Sequence, residues 1–146
     1  MNSLGILYWY MLAVTITGSI IDVRKRSVHV AFFAVVAAGI AALMFWDRSI
    51  PAEGRLFGIL TGLLFLGLSF ITKEAVGKGD AVMIMLTGAA LGFSATAAVL
   101  CIGFMLLSLT SLVLVVVKKY GRKERVPFFP FLAAGELVLA ALVLLP

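Results

Sequence analysis

Positions 81–117 read AVMIMLTGAALGFSATAAVLCIGFMLLSLTSLVLVVV, a run of 37 residues without a charged side chain. A single helix over this run would be ~55 Å long at ~1.5 Å per residue, whereas the hydrocarbon core of a membrane is ~30 Å thick. One straight span is therefore excluded, and the run is expected to fold back. Gly92-Phe-Ser-Ala95 is the predicted bend, because glycine and serine interrupt the apolar pattern there.

The rest of the chain has the same apolar character. It is 63% hydrophobic and 13% charged, with a mean hydropathy of +1.18. These values are typical of an integral membrane protein. Further apolar runs cover positions 4–21, 28–46, 51–71 and 128–145. With the two halves of 81–117, they predict an all-α, polytopic membrane protein of about six transmembrane helices, and residues 1–146 form a single membrane-embedded domain.

The distribution of charge predicts the orientation of this domain. The net charge is +5, and ten of the twelve Lys and Arg residues fall within 22–27, 72–80 and 118–127. Basic residues at short gaps between apolar runs favour a cytoplasmic location for those gaps, so both termini are predicted outside. The predicted location is the cytoplasmic (inner) membrane, as a multi-pass protein. Membrane lipid is an expected partner, and nucleic acid is not, because the charge follows the helix gaps.

Two aspartates lie beside the predicted membrane helices. Asp22 occurs in Gly18-Ser-Ile-Ile-Asp-Val-Arg-Lys-Arg26, and Asp80 ends Gly77-Lys-Gly-Asp80. A carboxylate at the end of an apolar segment is costly, so it indicates a functional site. Both lie on the predicted cytoplasmic side. Two adjacent carboxyl groups share a proton, so that one can activate water while the other polarises a carbonyl group.

Simpler interpretations of these residues remain open. Asp22 could pair with Arg24 or Arg26, and Asp80 could be a helix N-cap that follows a glycine-rich turn. Gly77 and Gly79 allow positive φ and a close approach of backbone, which could shape a non-helical loop beside Asp80 or leave space for a substrate.

Three segments together resemble the type IV prepilin peptidase family, including its preflagellin-peptidase relatives. Asp22 and Arg26 fit a pattern like D-x-x-x-R-x-I-P-N, and Gly77, Gly79 and Asp80 fit G-x-G-D. The segment Val126-Pro-Phe-Phe-Pro-Phe-Leu-Ala-Ala-Gly135 resembles I-P-F-G-P-F-L-A-x-G, which precedes the last helix of the family.

This resemblance implies a membrane aspartyl endopeptidase with Asp22 and Asp80 as its catalytic residues. Gly77, Gly79 and Arg26 are implied to bind substrate or shape the adjoining loop. The implied partner is a prepilin-like protein, whose basic leader is removed at the cytoplasmic boundary while its hydrophobic helix stays in the membrane. No cofactor and no metal are expected. The chain resembles compact, peptidase-only members, so methyltransferase activity is not predicted.

The chain departs from the family pattern at three places. Val28, His29 and Val30 occupy the I-P-N positions, Val82 replaces a frequent lysine, and Phe129 stands where glycine is usual. These departures bear on substrate range more than on the two aspartates. Two other classes of function stay open: a different G-x-G-D intramembrane protease, and a non-catalytic scaffold or small transporter that uses the carboxylates as proton or cation sites.

Several polar and aromatic residues lie outside these motifs. Glu136 falls half way along the last apolar run, where it is expected to be protonated, to pair with a polar group in the bundle, or to lie near a cavity. His29 is the only histidine and is expected at the membrane boundary, not in a metal site. Cys101 is expected to be a small core residue. The predicted interfacial anchors are Tyr8, Trp9, Tyr10 and Trp46.

Overall fold

The computed structural model describes residues 5–25, 28–48, 50–72, 77–118 and 127–144. These residues form five α-helices, which confirms the all-helical class. The helices are α1 (Ile6–Lys25), α2 (Val30–Met44), α3 (Ala52–Ile71), α4 (Lys78–Lys118) and α5 (Phe129–Leu144).

Membrane association is indicated by the length and composition of three described helices. Ile6–Arg24, Ala52–Ile71 and Lys78–Val117 are each long and apolar enough to cross a membrane. Val30–Met44 and Phe129–Leu144 are apolar but shorter.

Helix α4 is interrupted at Gly92, where the predicted bend is confirmed. Gly92 has φ 77° and ψ 173°, outside helical geometry. The residues on either side of it contact the same helix. Gly58 of α3 packs against Gly88, and the ring of Phe65, further along α3, lies 5.7 Å from that of Phe104. We call the two parts of α4 the 78–91 segment and the 93–118 segment; both extend away from Gly92 along α3.

Gly54, Gly58 and Gly62 recur every four residues along α3, and two of them pack closely against α4. A Cβ added at Gly58 would overlap the backbone of Gly88, and one added at Gly62 would overlap Met85. Without those Cβ atoms the two backbones pack directly together, as small residues permit in membrane helices. Gly54 contributes less, because its nearest neighbour would be a side-chain atom of Ile50 at 3.6 Å.

One face of α1 forms much of the core. Leu7, Tyr8, Met11 and Thr15 are at most 6% exposed, and they recur at helical spacing. Gly18 extends this buried face toward the end of the helix. The interfacial role predicted for Tyr8 is therefore wrong, because its ring is enclosed by helices. The core position predicted for Cys101 is also wrong, since this residue is exposed.

A buried arginine ties together the end of the bundle that holds Gly92. Arg55 is 7% exposed and donates hydrogen bonds to the backbone oxygens of Asp47 at 2.7 Å and Ile50 at 3.3 Å. Ile50 in turn approaches Gly92. These bonds join the end of α2 to the start of α3, and the contact between Ile50 and Gly92 extends the connection to the bend in α4.

The opposite end of the bundle gathers the helix ends that flank the three basic gaps. The ring of Phe33, near the start of α2, lies 6.4 Å from that of Phe129, at the start of α5. Lys78, at the start of α4, places its Nζ 5.5 Å from the ring centroid of Phe70, at the end of α3. The starts of α2, α4 and α5 and the end of α3 therefore lie at one end of the bundle, while the side of the membrane that this end faces stays a prediction.

Candidate functional site

Asp22 lies three residues before the end of α1 and is half-buried. It follows Tyr8 and Thr15 at intervals of seven residues, which is close to two helical turns, so the three side chains share one face. Both earlier residues are buried against the bundle. Asp22 consequently continues the inward-facing side of α1 and is directed toward the neighbouring helices.

Asp80 lies in the first turn of α4 and is also half-buried. The N–H of Ala81 donates to the backbone oxygen of Gly77 at 3.1 Å, so Gly77 occupies the N-cap position and Asp80 is the third helical residue. The N-cap interpretation of Asp80 is therefore wrong. A carboxylate in this turn interacts favourably with the positive end of the helix dipole.

The fold brings these two aspartates together, although 58 positions separate them in sequence. Asp22 and Asp80 are close enough for their charges to repel each other. Arg24 is exposed, and none of the described residues forms an ion pair with Asp22. Arg26, the other suggested partner and a predicted site residue, lies outside the described residues. Two neighbouring carboxyl groups from α1 and α4 are thus the principal chemistry at this end of the bundle.

The glycines beside Asp80 do not form the non-helical loop that was suggested from the sequence. Among the described glycines only Gly92 has a positive φ, so neither Gly77 nor Gly79 does. Gly79 is already helical, and a Cβ there would lie 3.4 Å from the Phe33 ring, an ordinary contact. A Cβ at Gly77 would lie 2.7 Å from Oδ2 of Asp80. Gly77 is therefore the residue whose lack of a side chain leaves room for the Asp80 carboxyl group.

A shallow cleft of about 270 Å³ adjoins the Asp22 end of α1. Its lining combines apolar side chains with one guanidinium group, from Ser19, Ile20, Val23, Arg24 and Pro130. Ile20 and Val23 are exposed, so apolar surface lies beside the carboxyl pair. Such a surface can contact a hydrophobic peptide segment.

Phe129, which stands where the prepilin peptidase pattern usually has glycine, is buried against α1. Phe129 is 2% exposed, and its ring would lie 2.8 Å from a Cβ at Gly18. It also packs against Phe33. The ring fills the space left by Gly18, so α5 packs closely on α1 one helical turn before Asp22.

A second polar cluster lies deeper in the bundle. Glu136 is fully buried, and its Oε2 lies 2.6 Å from Oγ1 of Thr15. The hydroxyl of Tyr8 donates to the backbone oxygen of Glu136 at 2.6 Å. Pairing with a polar group was one of the expectations for Glu136 and is confirmed. The parts that Thr15 and Tyr8 play in this cluster were not anticipated; their positions seven and fourteen residues before Asp22 were the available indication.

His29 and the acidic residues show no arrangement for a metal among the described residues, where no group of three or more His, Cys, Asp or Glu comes together. His29 is exposed and precedes the first turn of α2.

Comparison with family models, curated proteins and solved structures finds no match to this chain. The family resemblance consequently rests on the sequence motifs alone.

Proposed function

We propose that this protein is a membrane aspartyl endopeptidase that cleaves the leader from prepilin-like substrates at the cytoplasmic membrane boundary. The observation that carries the proposal is the convergence of Asp22 and Asp80 from α1 and α4 at one end of the bundle. The motifs around these two residues supply the substrate class.

The chemistry requires two carboxyl groups that share one proton. The ionised group takes a proton from water as the water oxygen attacks the peptide carbonyl carbon, and the protonated group donates its proton to the carbonyl oxygen. The tetrahedral diol then breaks its C–N bond: the carboxyl group that took the proton from water gives it to the amine nitrogen, and one hydroxyl of the diol returns its proton to the other carboxylate. The products are a carboxylic acid and an amine, and the pair again holds one proton. No cofactor enters this cycle.

The surroundings of the pair fit a substrate with a hydrophobic helix. The cleft beside α1 offers Ile20, Val23 and Pro130 to an apolar segment, next to Asp22. In our proposal the substrate helix stays in the membrane at this cleft, while its basic leader extends into the cytoplasm.

The proposed topology supports this arrangement. The 78–91 segment would be about 21 Å long at ~1.5 Å per residue, shorter than a ~30 Å hydrocarbon core. If α4 crosses as two segments, the chain has six crossing segments in the cytoplasmic membrane, with both termini outside. The short segment would then hold Asp80 within the bundle, where a water-filled recess could reach it.

The test is cleavage of a polypeptide with a basic leader and a hydrophobic helix by the purified protein in lipid vesicles. Product masses locate the cut. The unmodified protein should cut once at the junction, and Asp80→Asn should not cut. Glu53→Gln is the matched control, because Glu53 is an exposed acid at the start of α3, at the other end of the bundle, and it should leave cleavage unchanged.

The same vesicles separate the alternatives. A cut inside the hydrophobic helix instead of at the junction would favour a different G-x-G-D protease. Proton or cation flux that depends on Asp80, without any cleavage, would favour a transporter and refute the proposal.

A further inference from the structure

Glu136 is an acidic residue buried in the middle of the helix bundle. It is 0% exposed, and among the described residues no basic side chain pairs with it. Its Oε2 contacts Thr15, while its Oε1 has no hydrogen-bond partner within the described part of the chain. A buried carboxylate with one hydrogen bond is strongly disfavoured, whereas a neutral carboxylic acid is tolerated.

The hydrogen-bond distances around Thr15 also indicate that Glu136 is a neutral acid. Oγ1 of Thr15 lies 2.9 Å from the backbone oxygen of Met11, 3.1 Å from that of Leu12 and 2.6 Å from Oε2 of Glu136. A threonine hydroxyl has one hydrogen to donate. If Glu136 is a neutral acid, its Oε2 donates to Thr15 and Thr15 donates to its own helix, while the unpartnered Oε1 is an uncharged carbonyl oxygen.

The cluster fixes α1 in two ways. Tyr8 bonds the backbone of Glu136, and Thr15 bonds its side chain, so two points on one face of α1 are attached to one residue of α5. Asp22 lies seven residues beyond Thr15 on the same face, about 10 Å along the helix at ~1.5 Å per residue. Rotation or sliding of α1 against α5 would therefore move Asp22 relative to Asp80.

We infer that Glu136, as a neutral acid bonded to Thr15, is a positioning residue that sets the rotation of α1 and so directs Asp22 toward Asp80. This inference rests on the proposed function for its catalytic consequence, whereas the state of Glu136 is independent of any activity.

Thr17 provides a matched control on the same helix. Its hydroxyl donates to the backbone oxygen of Ala13 at 2.8 Å, as Thr15 does to Met11, but Thr17 is exposed and forms no hydrogen bond with the described residues of α5. Thr15→Val and Thr17→Val remove the same kind of local bond. Only Thr15→Val removes the hydrogen-bond partner of the Glu136 side chain.

The first measurement is infrared spectroscopy of the protein in vesicles. A protonated Glu136 contributes a carboxylic acid carbonyl band that is absent from Glu136→Gln. Thr15→Val should shift this band, and Thr17→Val should not. A spectrum of Glu136→Gln without a lost band would overturn the inference, whether or not the protein is a peptidase.

The second measurement is leader cleavage by the same variants. Misplacement of a catalytic group by about 1 Å can cost about 100-fold, so Thr15→Val should lower kcat by about 10- to 100-fold with little change in KM. Thr15→Ser should restore kcat, since serine keeps the hydroxyl. Glu136→Gln should stay within about threefold, because its amide can donate to Thr15.

The combined outcomes separate the two hypotheses. Equal kcat values for Thr15→Val and Thr17→Val would refute the positioning role. If the unmodified protein cleaves nothing while the Glu136 band behaves as expected, the proposed function fails and the catalytic part of the inference fails with it, but the Thr15–Glu136 contact stands.

Discussion

Replacement of Gly77 by alanine should disable the carboxyl pair without unfolding the protein. The added Cβ would lie 2.7 Å from Oδ2 of Asp80 and 3.3 Å from its Cγ. Carbon and oxygen atoms in contact are ordinarily separated by about 3.5 Å, so the carboxyl group must move by about 1 Å. A shift of that size in a reacting group can lower the rate of catalysis by about 100-fold.

The stability of the same variant should change little. The atoms displaced belong to the end of one short side chain, and moving it away from its preferred rotamer costs about 0.5–1.5 kcal/mol. Alanine offsets about 0.4–1 kcal/mol of that cost, because it restricts the unfolded chain more than glycine does. We therefore expect a large loss of kcat together with a nearly unchanged melting temperature, both measured on one purified sample.

Gly79→Ala is the control, two residues away in the same motif. Its Cβ would meet Phe33 at 3.4 Å and would leave Asp80 untouched, so cleavage should be retained. Equal activity of the two variants would refute the reasoning, because it would show that the position of the Asp80 carboxyl group does not depend on Gly77.

Two further predictions concern the helix packing and the topology. Gly58→Ala should destabilise the protein by about 1–3 kcal/mol through overpacking, whereas Gly54→Ala should be tolerated; thermal unfolding in detergent compares them, and equal melting temperatures would count against the tight α3 contact. In intact cells, with Cys101 replaced by serine, an impermeant thiol reagent should label Arg48→Cys and leave Thr72→Cys protected, whereas labelling in the reverse pattern would overturn the proposed orientation.

The helical framework was accessible from the sequence because its causes are local. Hydrophobic runs of the right length predict the helices, and the 37-residue run predicts a bend that lies at Gly92, within the expected segment. Gly54, Gly58 and Gly62 recur every four residues, a spacing that indicates a close helix contact, and Gly58 and Gly62 make one. Each of these inferences depends on residues that are neighbours along the chain.

Features that depend on contacts between distant segments were not accessible. Tyr8 looked like an interfacial anchor, because only the fold shows α5 beside it. Cys101 looked like a core residue, because an apolar run does not reveal which face meets lipid.

The candidate site likewise has features that the sequence indicated and others that depend on contacts between distant segments. The motifs indicated Asp22 and Asp80, and charge asymmetry placed them at one end, but their proximity required the packing of α1 and α4. Gly79 was expected to lie in a loop. The N–H of Ala81 bonds to the backbone oxygen of Gly77, so the helix begins at Lys78 and Gly79 is helical. The space around Asp80 consequently depends on Gly77.

In the proposed mechanism, Asp22 and Asp80 act as one catalytic unit. Leader cleavage rates should be measured for Asp22→Asn, for Asp80→Asn and for the double variant, with folding checked on each sample. Each single variant should lose about 10²–10⁴-fold in kcat, since neither asparagine can exchange a proton. The double variant should be no slower than the singles, because groups that act together are not additive. Near-normal turnover by either single variant, or losses that multiply in the double, would contradict the claim.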